Sequence, residues 1–144
     1  MGQWDLSYIY TYQSGPPITF GDVLLSGSAK DIPLSSSQRS ASQWFNTSVF
    51  NRNSAQQLAN NLITLSPGFA RIRAAAYSSS DASLLKHVQV REGLRMEVRI
   101  DALNVFNQVT FDAPNTSPTS SSFGAVTAQR NVPRRMQGMV RLQF

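Results

Sequence analysis

Apolar and polar residues alternate with a period of two in four separate stretches of this chain, the last of them "RRMQGMVRLQF". Successive side chains of a β-strand point to opposite faces, so this period predicts strands; an amphipathic helix would need apolar positions three and four apart. In the final stretch Met136, Gly138, Val140, Leu142 and Phe144 share one face, and Arg135, Gln137, Met139, Arg141 and Gln143 share the other. Near the amino end, Trp4, Leu6, Tyr8, Tyr10 and Tyr12 oppose Asp5, Ser7, Ile9, Thr11 and Gln13. "DASLLKHVQV" sets Ala82, Leu84, Val88 and Val90 against Ser83, His87 and Gln89. "RMEVRIDALNVF" sets Met96, Val98, Ile100 and Ala102 against Arg95, Glu97, Arg99 and Asp101. Strands are therefore predicted near 4–13, 81–90, 95–106 and 134–144, with a tight turn at Glu92-Gly93.

Between them the pattern lapses. "SGPP" ends the first strand, because proline cannot donate to a ladder and glycine favours a turn. Residues 14–80 and 107–132 read as long loops, rich in Ser, Asn and Gln, with solvated serine tracts at Ser35–Ser42 and Ser117–Ser122. Within the first loop, Ala55, Leu58, Ala59 and Leu62 share a helical face, which predicts a short helix, and "ARIRA" predicts a brief strand through Arg71 and Arg73. A loop of that length is unusual in a compact soluble domain but ordinary on the outer side of a large membrane barrel.

Alternating strands suit two environments. A soluble sheet packs its apolar face on a core, whereas a barrel in a bilayer turns it to lipid and its polar face to the lumen. Soluble strands cluster near ~5–6 residues, while a tilted membrane strand needs roughly 9–11. The four stretches run close to the second length. Trp4 and the tyrosines also suit a lipid-facing strand with girdle positions at the interfaces.

Composition narrows the function classes. Only 15% of residues are charged, so the net charge of 13 − 8 = +5 comes from arginines scattered among neutral polar residues. No clustered basic footprint marks a nucleic-acid partner. There is no cysteine and a single histidine, His87, which leaves little material for a metal site, a disulfide or a catalytic triad. No run of 18 apolar residues predicts a membrane helix, and "MGQWD" carries no secretion signal.

The carboxyl-terminal half resembles the TonB-dependent outer-membrane receptors, and most nearly their Oar-like, acidobacterial branch. The likeness lies in "DASLLKHVQVREGLRMEVRIDALNVFNQVTF" and "APNTSPTSSSFGAVTAQRNVPRRMQGMVRLQF". It is carried by Asp81, Ser83 and Lys86; by Arg99, Asp101, Asn104, Phe106 and Asn107; by Phe111 and Pro114; by Phe123 and Gly124; and by Pro133, Arg134, Gln137 and Phe144. "SGPP" is similar to the family's Ser-Gly-x-Pro loop entry. Two positions depart from the pattern: Ser80 stands where a tryptophan is usual, and Asn107 to Phe111 read Asn-Gln-Val-Thr-Phe in place of Asn-His-Pro-Gln-Phe.

The resemblance implies an all-β fold, an antiparallel transmembrane β-barrel fragment of about four long strands in a curved open sheet. It implies that Val140, Leu142 and Phe144 form the signal read by the barrel-assembly machinery. Trp4, Leu6, Tyr8, Met96, Val98, Ile100 and Met136 are expected to face lipid, and Glu97, Arg99, Asp101, Arg135 and Arg141 the lumen. Arg135 or Arg141 is the expected cross-strand partner of the carboxylates. Four strands cannot close around a lumen, since the smallest barrels use about eight. The chain is accordingly expected to be the last part of a longer receptor of the outer membrane, with the short turn periplasmic and the long loops outside the cell. Its expected partners are outer-membrane lipid, the remaining strands and plug of the same receptor, and the TonB complex through that plug alone. No cofactor, catalytic residue, metal ligand or nucleic acid is expected. The competing readings are a small stand-alone β-structured binding module of the outer membrane or cell surface, and, more remotely, a soluble hydrolase built on Glu97 and Asp101.

Overall fold

The computed structural model describes residues 3–57, 65 and 69–144. The chain divides into two compact units, one of Met1–Gln13, Tyr77–Val109 and Asn131–Phe144, the other of Ser14–Ala76 and Thr110–Arg130.

The first unit is an antiparallel sheet of four strands in the order β1-β4-β5-β6. These are β1 (Trp4–Gln13), β4 (Tyr77–Arg91), β5 (Leu94–Leu103) and β6 (Arg135–Gln143). Six bounds differ from the predicted ones, four of them by a single residue. β4 starts at Tyr77 rather than near residue 81, because "YSSS" completes the ladder against Tyr10 to Gln13 although its serines carry no apolar signal. β5 stops at Leu103 rather than 106, because Asn104 and Asn107 adopt left-handed backbone angles (φ 51° and 52°) that asparagine tolerates and a strand cannot contain. β6 ends at Gln143, so Phe144 lies just beyond it, 95% exposed.

β4 and β5 are joined through Glu92-Gly93, where Gly93 has φ +77°. A side chain is strained at that angle by about 1–2 kcal/mol. Gly93→Ala should lower stability by about 1 kcal/mol, read as an earlier midpoint in denaturant at unchanged slope.

This sheet is a single layer. Among the described residues its one buried apolar side chain is Ala102; the core of the chain lies elsewhere. A water-soluble sheet hides one face, and this one hides neither.

The second unit is built from the long connections 14–76 and 110–130, which pack into a core that their predominantly irregular backbone does not announce. Its core is aromatic: Phe20, Phe45, Phe50 and Phe123 pack with ring centroids 5.0–5.7 Å apart, and Val23, Ile32 and Ile72 fill the spaces between. Only two short strands appear, β2 (Pro17–Ile18) and β3 (Phe69–Arg73), the second where "ARIRA" predicts one. The core residues are spaced irregularly along turns, and that is why no periodicity announces them. Segment 110–130 joins segment 14–76 through backbone bonds from Trp44 N to Gly124 O and from Val126 N to Ala41 O. Arg52 reinforces the junction, donating from Nε to Pro118 O and from Nη2 to Ser120 O while lying over the Phe123 ring. Gly124 must be small there: it has φ +81°, and a Cβ would sit 2.5 Å from the Thr47 methyl. The serine tracts are predominantly exposed and bonded to their own neighbours, as in Ser35 to Gln38. Of the predicted helix, residues 58–64 lie outside the described residues, and Ser54–Gln56 form a single 3-10 turn.

Candidate functional site

The sheet's two faces are its candidate functional surfaces, and strand register builds them. Directly opposed residues in an antiparallel pair carry their side chains on the same face. Leu6 opposes Leu84, Leu84 opposes Ile100, and Ile100 opposes Gly138, which makes one transverse row across four strands. Trp4, Lys86, Val98 and Val140 make the next row; Tyr8, Ala82, Ala102 and Met136 make another; Val88, Met96 and Leu142 follow. All seven residues predicted to face lipid thus share a face with Val140 and Leu142. Many apolar side chains there stand open, Leu6 at 75% and Val140 at 67% exposure, while Val88, Met96 and Val98 are half-buried and Ala102 is buried. An uncovered apolar surface of this extent marks contact with another apolar phase. Tyr8 donates its hydroxyl hydrogen to Ser80 Oγ at 2.9 Å, so the end of this face away from the Glu92-Gly93 turn becomes progressively polar.

The other face carries Glu97, Arg99, Asp101, Arg135 and Arg141 together. Asp101 accepts from Arg99 Nε at 2.7 Å and from Gln137 Nε2 at 2.9 Å. Arg141 lies opposite Glu97 and Arg135 opposite Leu103, while the ion pairs of this face join His87 to Asp5 and Glu97 and Arg99 to Asp101. A cavity of about 370 Å³ opens on this face, lined by Gln3, His87, Gln89, Arg95, Glu97 and Gln143 among others.

His87 stands between two carboxylates, with Nε2 3.1 Å from Asp5 Oδ2 and Nδ1 3.6 Å from Glu97 Oε1. Both ring nitrogens face an acid, so neither is turned to a serine hydroxyl as a general base requires. Among the described residues no group of three or more His, Cys, Asp or Glu side chains could hold a metal ion.

One constellation escapes the pattern of alternation. Asp81 Oδ1 accepts from the backbone N–H of Asn104 at 2.9 Å and from Ser79 Oγ. Asn104, 2% exposed, accepts from Gln108 N and donates through Nδ2 to the carbonyls of Gln108 and Val132. Asn107 Oδ1 accepts from Arg134 N at 3.0 Å. These side chains close the end of the sheet where β5 stops and tie the start of the following connection to its return before β6. Asp81, Asn104 and Asn107 are among the residues that carry the family resemblance, so the motif was visible although its structural role was not.

The family model described as "Outer membrane beta barrel domain" matches residues 1–137. No curated protein and no solved structure matches the chain.

Proposed function

We propose, from the premise that this chain belongs to the outer membrane beta barrel domain family, that it supplies wall strands of a TonB-dependent receptor taking up a scarce, large nutrient. The antiparallel all-β sheet and the outer-membrane location follow from that membership. The observation that carries the reading is the register: rows of apolar side chains, interrupted by Lys86 alone among those named, cross the strands on one face, and the ion pairs gather on the other. In a barrel the first face meets lipid and the second lines the lumen. The two-residue turn at Glu92-Gly93 is then periplasmic, and the connections bearing the aromatic unit are extracellular. The resemblance of residues 55–144 supports the TonB-dependent class in particular.

In this reading β1 and β6, both edges of the sheet, pair with further strands, since lipid-exposed backbone must be hydrogen-bonded within protein. Val140, Leu142 and Phe144 engage the barrel-assembly machinery, and TonB acts through a plug that these strands surround. The role is non-catalytic: the carboxylates are engaged by arginine, glutamine and histidine. Reading the genomic frame on the 5′ side of the Met1 codon tests the proposal. It should continue into alternating strands and a plug; a stop codon followed by a dedicated ribosome site would contradict it.

A further inference from the structure

Among the described residues, Asp22 is the one half-buried carboxylate that no hydrogen bond or ion pair joins to another group. The other half-buried acids, Asp81, Glu97 and Asp101, all have partners. Polar groups withdrawn from water ordinarily find a partner within the protein or in what it binds. Asp22 lines a cavity of about 260 Å³ in the second unit, with Gly21 and Val23 on its own side and Thr116, Ser117 and Pro118 across from it. Both walls are fixed. Phe20 and Val23, which flank the Gly21-Asp22 pair, are buried in the aromatic core. On the other side, Ser117 N donates to Asn115 Oδ1 at 2.9 Å, and Arg52 Nε donates to Pro118 O at 3.1 Å. The hydroxyls of Thr116 and Ser117, like the Asp22 carboxylate, have no partner among the described residues, and no lysine or arginine lines the cavity.

We infer that this cavity binds the primary ammonium group of a small organic ligand. An ionised carboxylate can only accept, so whatever meets Asp22 must donate, and a cationic donor makes the stronger bond. An ammonium carries three N–H donors, one each for Asp22 and the two hydroxyls, while Val23 and Pro118 offer its carbon stem an apolar contact. Calcium takes about six to eight oxygens, more than one carboxylate and two hydroxyls supply. Gly21 leaves room for the ligand, since a Cβ built there meets no atom within 4 Å. The site lies within the second unit and does not depend on which face of the sheet meets lipid.

The test reconstitutes the full chain in bilayers and measures binding of radiolabelled propylamine at neutral pH by equilibrium dialysis. Tetramethylammonium, a cation with no N–H, serves as competitor. Propylammonium should bind saturably at one site per chain, and tetramethylammonium should fail to displace it. Asp22→Asn, which keeps the shape of the side chain, should weaken binding by about ten-fold or more, the worth of a hydrogen bond to a charged group. Asp31→Asn, at an exposed carboxylate of the same unit, should leave binding unchanged. Gly21→Leu should fill the cavity and abolish binding at an unchanged urea midpoint, because the added side chain starts in open space. Absence of saturable binding, or affinity that survives Asp22→Asn or Gly21→Leu, would overturn the site. An equal loss in Asp31→Asn would reduce it to general surface charge. Displacement by tetramethylammonium or by calcium chloride would overturn the hydrogen-bonded ammonium as its occupant.

Discussion

Replacing Ile100 by arginine is expected to destabilise the inserted protein by about 2–4 kcal/mol, the cost of a cation at the lipid-facing midplane of a barrel. Ile100 sits in the Leu6–Leu84–Ile100–Gly138 row, between the Tyr8–Ala82–Ala102–Met136 row and the row of Trp4, Lys86, Val98 and Val140. The change should appear as a lower urea midpoint for unfolding from bilayers and as less protein in the outer membrane. Ile9→Lys supplies the contrast. Ile9 is more open than Ile100 and lies on the polar face opposite Asp81, where a cation gains a partner. Its effect should stay within about 0.5 kcal/mol. If both faces met water, the two substitutions would behave alike.

Asn104→Ala is expected to cost about 3–5 kcal/mol, from two sources. The buried side chain bonds three backbone groups, Gln108 N, Gln108 O and Val132 O, and each bond contributes about 0.5–1.5 kcal/mol net. Alanine must also hold φ 51°, which costs about 1–2 kcal/mol. Asn104→Gly separates the terms: it should recover the backbone part and none of the hydrogen-bonded part. Proteolysis of the connection between β5 and β6 should rise in both variants, because Asn104 holds that connection to its return at Val132. Equal stability of wild type and Asn104→Gly would show that the side-chain bonds contribute nothing.

The parts of this fold that the sequence discloses are those with a period. β1 is predicted at the bounds it adopts, and the facing of Val98 and Arg99 follows from parity alone, because side-chain direction in a strand depends on nothing but odd and even. The start of β4 was missed because Ser78, Ser79 and Ser80 pair with β1 through their backbones, and backbone pairing needs no apolar side chain. The aromatic unit was missed for a related reason. Phe20, Phe45, Phe50 and Phe123 meet through turns whose geometry depends on contacts between distant segments, such as Arg52 with Pro118, and no local spacing encodes these. Register is likewise non-local. Parity places Arg135 and Arg141 on the polar face, but only the pairing of β5 with β6 puts Arg141 opposite Glu97 and Arg135 opposite Leu103. His87 shows the same limit: Asp5 and Glu97 reach it from strands on either side.

The chain contains no cysteine, so a single introduced thiol reports its own environment. The most direct test of the lipid-facing account replaces Met96, Glu97, Val98, Arg99, Ile100 and Asp101 of β5 by cysteine, one at a time. Each inserted protein is then treated with a membrane-impermeant maleimide. The account predicts a period of two, with thiols at 97, 99 and 101 reacting from the aqueous lumen and those at 96, 98 and 100 protected by lipid. Uniform labelling along the strand would contradict it.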